Sequence, residues 1–217
     1  MSEKMKGNGE KGQVYTLEAF AASFLLLLAV LFAIQSSAIA PITESTSTRD
    51  VEQQQQYIAQ GVLETTDEPG DLRKMVLYWD INKESYHNSG DNGVYDVRNS
   101  NSLSDALPNN KFGDTVDTFM LDKGIAANVN LVYYTENSDG TFSQETRSLI
   151  TMGTPSENAF TASKTIPLFD DDTFVNEDNS SSGQKLKENE EDFYIKDVDS
   201  SSNTYNLVRV EIITWKI

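Results

Sequence analysis

Hydrophobic positions along the chain fall into three regimes. From Ala19 to Ala40 they are nearly continuous, broken only by Ser23, Gln35, Ser36 and Ser37. Between Arg49 and Gly124 they recur at helical intervals, and from Ile125 onward they alternate. A helix over residues 19–40 would measure roughly 33 Å at about 1.5 Å per residue, the thickness of a bilayer's hydrocarbon core. The first regime therefore predicts a transmembrane helix. A cleaved secretory signal is the alternative, with "SSAIA" imitating its small-residue cleavage site, but such signals have shorter apolar regions.

The second regime predicts several helices. Pro41 should kink or end the first helix near Ala40, because its ring opposes a continuing helix. "TESTST" then reads as a polar hinge whose hydroxyls can cap the next helix. In "TRDVEQQQQYIAQGVLETT", Val51, Ile58 and Val62 lie seven and four apart, with Tyr57 and Leu63 beside them, so one stripe is apolar. The run Gln53 to Gln56 reads as the solvated face of that helix. "EPGDLRKMVLYWD" supplies a turn, Asp71 as N-cap, and Leu72, Met75, Val76 and Trp79 on one face. Residues 82–110, rich in Asn, Ser, Gly and Asp, read as loop with a short strand at "GVYDV". "FGDTVDTFMLDKG" places Phe112, Val116, Phe119 and Met120 at helical spacing and Gly124 as terminator.

The third regime predicts strands. "IAANVNLVYYT" puts Ile125, Ala127, Val129, Leu131 and Tyr133 on one face, and Asp139-Gly140 marks a hairpin turn into "FSQETRSLITM". "AFTASKTIPLF" reads as a third strand, where Pro167 indicates an edge or bulge. "TYNLVRVEIITWKI" closes the set with Val208, Val210 and Ile212 alternating. Strands without intervening helices favour antiparallel pairing. The expected fold class is α+β: a long hydrophobic transmembrane helix, then a head of short helices and an antiparallel sheet of about four strands. The expected divisions are a cytoplasmic leader at 1–12, the hydrophobic helix at 13–40, a hinge and amphipathic helix at 41–66, and an extracytoplasmic head at 67–217.

Charge and composition narrow the chemistry. The formal net charge of -17 opposes binding to nucleic acid or anionic headgroups by the soluble part. A halophile's hydrated carboxylate surface accounts for such acidity, although lysines outnumber arginines twelve to five. Between Asp170 and Ser202 eleven acidic residues stand against three lysines, which predicts a solvated, partly mobile acidic loop over 170–202. Asp170, Asp171, Asp172 and Asp178 have the chemistry of calcium ligands, but the EF-hand spacing is missing and a solvated charge run is the favoured reading. No cysteine occurs, and His87 is the only histidine, so thiol chemistry and multi-imidazole sites are excluded within one chain. A carboxylate pair for glycoside hydrolysis has no support from spacing. No enzyme, cofactor or metal is expected. Asn179-Ser180-Ser181 is an N-glycosylation sequon in a polar stretch.

The flanks of the apolar run carry the functional signal. Lys4, Lys6 and Lys11 precede it and the next basic residue is Arg49, so the positive-inside rule puts the N-terminus in the cytoplasm and the head outside. A short polar leader ends in Lys11-Gly12-Gln13, and Glu18 stands at the threshold of the leucines in "QVYTLEAF". This resembles the class III signal peptide of archaeal type IV pilin-like proteins, haloarchaeal ones in particular. "GTPSENAFTASKTIPLFDDD" and the closing "TWKI" are similar to one uncharacterised family of that group. The resemblance implies cleavage between Gly12 and Gln13 by a prepilin-type peptidase, retention of the helix, and pairing of Glu18 with a neighbouring subunit's terminal amine. Glu18 would be the sixth residue after such a cut, where the usual pilin pattern has the fifth.

The expected function is that of a type IV pilin-like subunit in the cell membrane, acting in assembly or surface display and packing on other pilin-like subunits through its hydrophobic helix. Its long acidic insertions would crowd a dense filament, which favours a minor subunit. The alternative is an uncleaved single-pass anchored domain that binds an extracellular partner. An extracellular hydrolase is a distant third.

Overall fold

The structure is a computed structural model that describes residues 15, 18–31, 42–90, 92–99 and 106–216. The chain divides into two units, Met1–Arg49 and Asp50–Ile217.

In the first unit residues 18–31 form helix α1. Leucine, alanine and phenylalanine dominate it, and no proline or glycine interrupts it. The described stretch measures roughly 21 Å at about 1.5 Å per residue, against a hydrocarbon core of about 30 Å. Among the described residues no helix is long and apolar enough to cross a membrane. This corrects the transmembrane helix in the expected fold class. Residues 32–41, including Pro41, lie outside the described part. The expected hinge is also corrected: helix α2 runs Ile42–Asp67. Serine and threonine cost a helix only a few tenths of a kcal/mol each, and "ITESTST" holds no glycine or proline to stop one.

In the second unit the end of α2 turns Ala59, Val62, Leu63 and Thr66 inward, while Tyr57 faces solvent. Of the glutamines expected to be solvated, Gln55 is buried. Helix α3 (Asp71–Val76) is entered through Gly70, which holds the N-cap position expected of Asp71. Asp71 is instead the first helical residue, where its carboxylate accepts from Lys74 Nζ at 2.9 Å and faces the positive end of the helix dipole. Strands β1 (Trp79–Asp80) and β2 (Ser85–Tyr86) pair as a small hairpin. Strand β3 (Tyr95–Asp96) occupies the expected "GVYDV". Helix α4 (Lys111–Phe119) is capped by Asn110, whose Oδ1 accepts from Gly113 N at 3.0 Å. Phe112, Val116 and Met120 are buried, Phe119 is not, and Gly124 closes the short 3-10 turn beyond them.

The main sheet takes β4 (Ile125–Glu136), β5 (Phe142–Thr151), β6 (Phe160–Phe169) and β9 (Thr204–Lys216). The order is β3-β5-β4-β9-β6. Here the expected antiparallel sheet of four strands is corrected to a mixed sheet of five. β3 lies parallel to β5, with Tyr95 opposite Ile150, a non-local pairing that alternation within one strand cannot reveal. Gly140 supplies a φ of 77° at the β4–β5 turn, a left-handed conformation that costs glycine little. β6 is an edge strand, which suits Pro167, since proline has no N–H for a second neighbour. One sheet face carries Val129, Leu131, Tyr133, Val208, Val210 and Ile212 into the core. On β9 the intervening Leu207, Arg209, Glu211 and Ile213 are exposed or partly so.

The acid-rich segment is a built part of the head, which corrects the solvated loop over 170–202. It contains β7 (Thr173–Val175) paired with β8 (Ser181–Lys185), and two short 3-10 turns come after them. Phe174, Leu186, Phe193 and Ile195 from this segment are buried in the same core as the helices and main sheet. Fully burying such a side chain contributes about 1.5–3 kcal/mol, enough to order a segment whose charge pattern suggests otherwise.

Candidate functional site

Of the residues singled out by the sequence, Gly12 and Gln13 lie outside the described part. Glu18 lies on α1 and is exposed. Behind it Phe20, Phe24, Leu25, Leu26, Leu27 and Val30 are each more than half exposed. These side chains point in successive directions around the helix, so α1 presents apolar surface on every side. Ser23 donates its hydroxyl to Ala19 O at 2.8 Å, which hides its polarity within the helix.

The four candidate calcium ligands are otherwise engaged. Asp170 pairs with Lys187, Asp171 with Lys185 at 2.7 Å, and Asp172 with Arg73 at 3.4 Å. Asp178 accepts from the backbone and hydroxyl of Ser180, which lowers its pKa below the usual carboxylate range. Asp170 is buried and its Oδ1 has no partner. Among the described residues no group of three or more His, Asp or Glu is placed to hold a metal ion.

Asn179 lies in the β7–β8 turn with φ 65°, and its Nδ2 donates to Asn109 O at 3.0 Å. It lines a groove of about 540 Å³, whose walls also include Arg73 and Lys74 of α3 and Asp172 and Ser181 beside the hairpin. His87 is packed against the Tyr78 ring at 4.9 Å, and its Nε2 lies 3.1 Å from Val175 O. Its Nδ1 lies 4.0 Å from Asp80 Oδ2, and the Asp80 carboxylate holds a lowered pKa despite the opposing effect of burial, through Asn82 N–H, Lys83 and His87. The contacts of His87 join hairpin β1–β2 to β7.

Sequence reasoning missed a second cluster. Trp79, Tyr86, Tyr133, Phe193 and Tyr194 come from β1, β2, β4 and the acid-rich segment, and their rings meet edge-on or tilted with centroids 4.8–6.2 Å apart. The Tyr86 and Tyr194 hydroxyls share a hydrogen bond of 2.5 Å. Burial raises the pKa of both, and that of Tyr133 is pushed up to about 12 by burial and then by Glu145. Above them Arg147 of β5 lays its guanidinium 4.5 Å from the Tyr194 ring centroid and 5.2 Å from that of Trp79. The one signal in the sequence was the place of Arg147 opposite Leu131 in the hairpin, which turns it toward the apolar face.

The sequence pattern of DUF7288, a family of unknown function, matches residues 11–214. No curated protein and no solved structure matches the chain.

Proposed function

The chain belongs to DUF7288, and we propose that it acts as a pilin-like, minor subunit in the assembly or surface display of a pilus-like structure, without catalysis. The observation that carries this reading is the apolar helix over residues 18–31, exposed all round and carrying Glu18. A helix that is hydrophobic on every side needs surroundings of the same kind. Like helices from neighbouring subunits supply them through close side-chain packing. The head has its own closed core and does not need α1 to complete it.

Glu18 fits the same arrangement. A carboxylate among packed apolar helices is costly without a cation. The sequence has no basic side chain between Lys11 and Arg49, so the amine exposed by cleavage after Gly12, on this or a neighbouring subunit, is the available partner. The reading places the subunit at the cell membrane, with its head displayed outside. The family match begins at residue 11, so the Lys11-Gly12-Gln13 junction falls within it.

Intact mass spectrometry of the protein from native membranes tests the proposal. Loss of residues 1–12 is the expected result. An uncleaved chain in cells with an active prepilin-type peptidase would overturn it in favour of an anchored binding domain. A cut near Ala40 would mean that the helix is a discarded signal.

A further inference from the structure

We propose that Arg147 is a receptor for a carboxylate presented from outside the chain. A guanidinium carries five N–H donors in a planar fork. Of the arginines whose side chains are described, Arg73, Arg98 and Arg209 each hold a carboxylate, respectively Asp172, Asp96 and Glu211. Arg147 has no such partner among the described residues, and its Nε is buried without an acceptor. Among the arginines with described side chains, Arg147 alone lacks a carboxylate. Glu145, two residues along the same strand, turns to the Tyr133 hydroxyl at 3.2 Å instead.

Among the described residues the guanidinium is held in place without using its donors. The Tyr194 and Trp79 rings lie beneath it, an arrangement that attracts a cation and leaves the in-plane N–H groups available. At Gly93 the backbone approaches so closely that an added Cβ would sit 2.7 Å from Nη2. Trp79 is fixed in turn by donating Nε1–H to Asp192 O at 2.8 Å. Arg147 as a whole is partly exposed, so with Nε enclosed an incoming carboxylate meets the Nη side of the guanidinium. The strongly negative chain disfavours a dianion such as phosphate more than a monoanion, and among monoanions the planar fork matches the two oxygens of a carboxylate. Its source is an acidic side chain of a second copy or a free organic acid. The receptor belongs to the head and does not depend on how α1 is used.

The test uses the full chain with Trp215→Phe, which leaves Trp79 as the only tryptophan. Sodium formate is titrated while Trp79 fluorescence is read, with sodium chloride at equal ionic strength as control. The expected result is a saturable change with formate alone, weakened at least ten-fold in Arg147→Gln. In Arg147→Lys, which keeps the charge but lacks the fork, it is weakened several-fold. No saturable response beyond chloride, or an equal response in Arg147→Gln, overturns the proposal. Should Arg147→Gln lose its near-UV circular dichroism, Arg147→Lys decides, and undiminished formate affinity there overturns it. Sedimentation then separates the sources. Self-association that falls with formate in the wild type, and is already reduced in Arg147→Lys, identifies a neighbouring copy's side chain. Self-association indifferent to both identifies a free acid.

Discussion

Helix α1 and the aromatic core of the head use the same kinds of side chain to opposite ends. Phe112, Phe174 and Phe193 are each at most 1 % exposed, whereas Phe20 and Phe24 are 76 % and 57 % exposed. Among the described residues of the head most large apolar side chains find a complement within the chain, helix against sheet and hairpin β7–β8 against α3, with Phe142 and Leu207 among the exceptions. In α1 none of those side chains does so among the described residues. Hydrophobicity alone therefore does not distinguish a core from a contact surface. The distinction lies in whether the same chain supplies the other half.

The sharpest break of this comparison is a pair of truncations. Phe112→Ala should destabilise the head by about 3–5 kcal/mol through lost burial and a cavity. Phe24→Ala should change it by less than about 0.5 kcal/mol while weakening association between copies. Chemical unfolding of the full chain and co-purification of two tagged copies measure the two effects. Equal destabilisation would show that α1 belongs to the core after all.

Charge sharpens the same contrast. Asp170 is buried and held by Lys187, while Glu18 is exposed on an apolar helix. Asp170→Asn should cost about 1–3 kcal/mol by loosening a charged hydrogen bond at a buried site, visible as a lower unfolding midpoint. Glu18→Gln should leave that midpoint in place and reduce copy-to-copy crosslinking in membranes about ten-fold, equivalent to about 1.4 kcal/mol. Undiminished crosslinking would make Glu18 a bystander.

Salt has a smaller effect. Screening relieves repulsion within a chain of net charge -17. If the net gain is about 1 kcal/mol, molar KCl raises the melting temperature of the full chain by roughly 2–4 °C. A flat dependence would mean that pairs such as Asp171–Lys185 lose as much as the remaining carboxylates gain.

Acid has the smallest and most local effect. Asp139, Asp178 and Asp199 each accept from a hydroxyl two residues on, Thr141, Ser180 and Ser201, and their pKa values are lowered first by that bond. A lowered carboxylate pKa contributes stability that is present above the unfolded value, near 3.9, and is lost as pH falls through the folded one. Protection of the Thr141, Ser180 and Ser201 amides, relative to their intrinsic exchange at each pH, should therefore fall only below about pH 4, with the aromatic core still protected.

How much of this was legible in the sequence depends on the range of the forces involved. β4 and α4 are set by the residue-to-residue period of their own apolar positions, so Val129, Leu131, Phe112 and Val116 were placed correctly. The β7–β8 segment was misread because its eleven acidic residues are visible locally, while part of what orders it is distant: Arg73 across 99 positions for Asp172, and the core that receives Phe174 and Phe193. The parallel pairing of β3 with β5 and the gathering of Trp79, Arg147 and Tyr194 are likewise products of long-range packing. Glu18 could be singled out from its neighbours in sequence, since a carboxylate beside a leucine run is anomalous wherever that run ends up.

The Asn179 side chain makes modification and folding rivals for one atom. Its amide nitrogen is the atom that would carry a glycan, and in the folded head it donates to Asn109 O. Ser181, the third residue of the sequon, has its hydroxyl engaged with that of Thr173 at 2.7 Å. A sugar added to the finished head must break the first bond and work on a turn held at a positive φ. One added to the nascent chain meets neither obstacle, but removes one of the N–H donors that amide has to offer. Glycan occupancy at this position would thus act as a clock, recording whether the transferase or the closing hairpin arrived first.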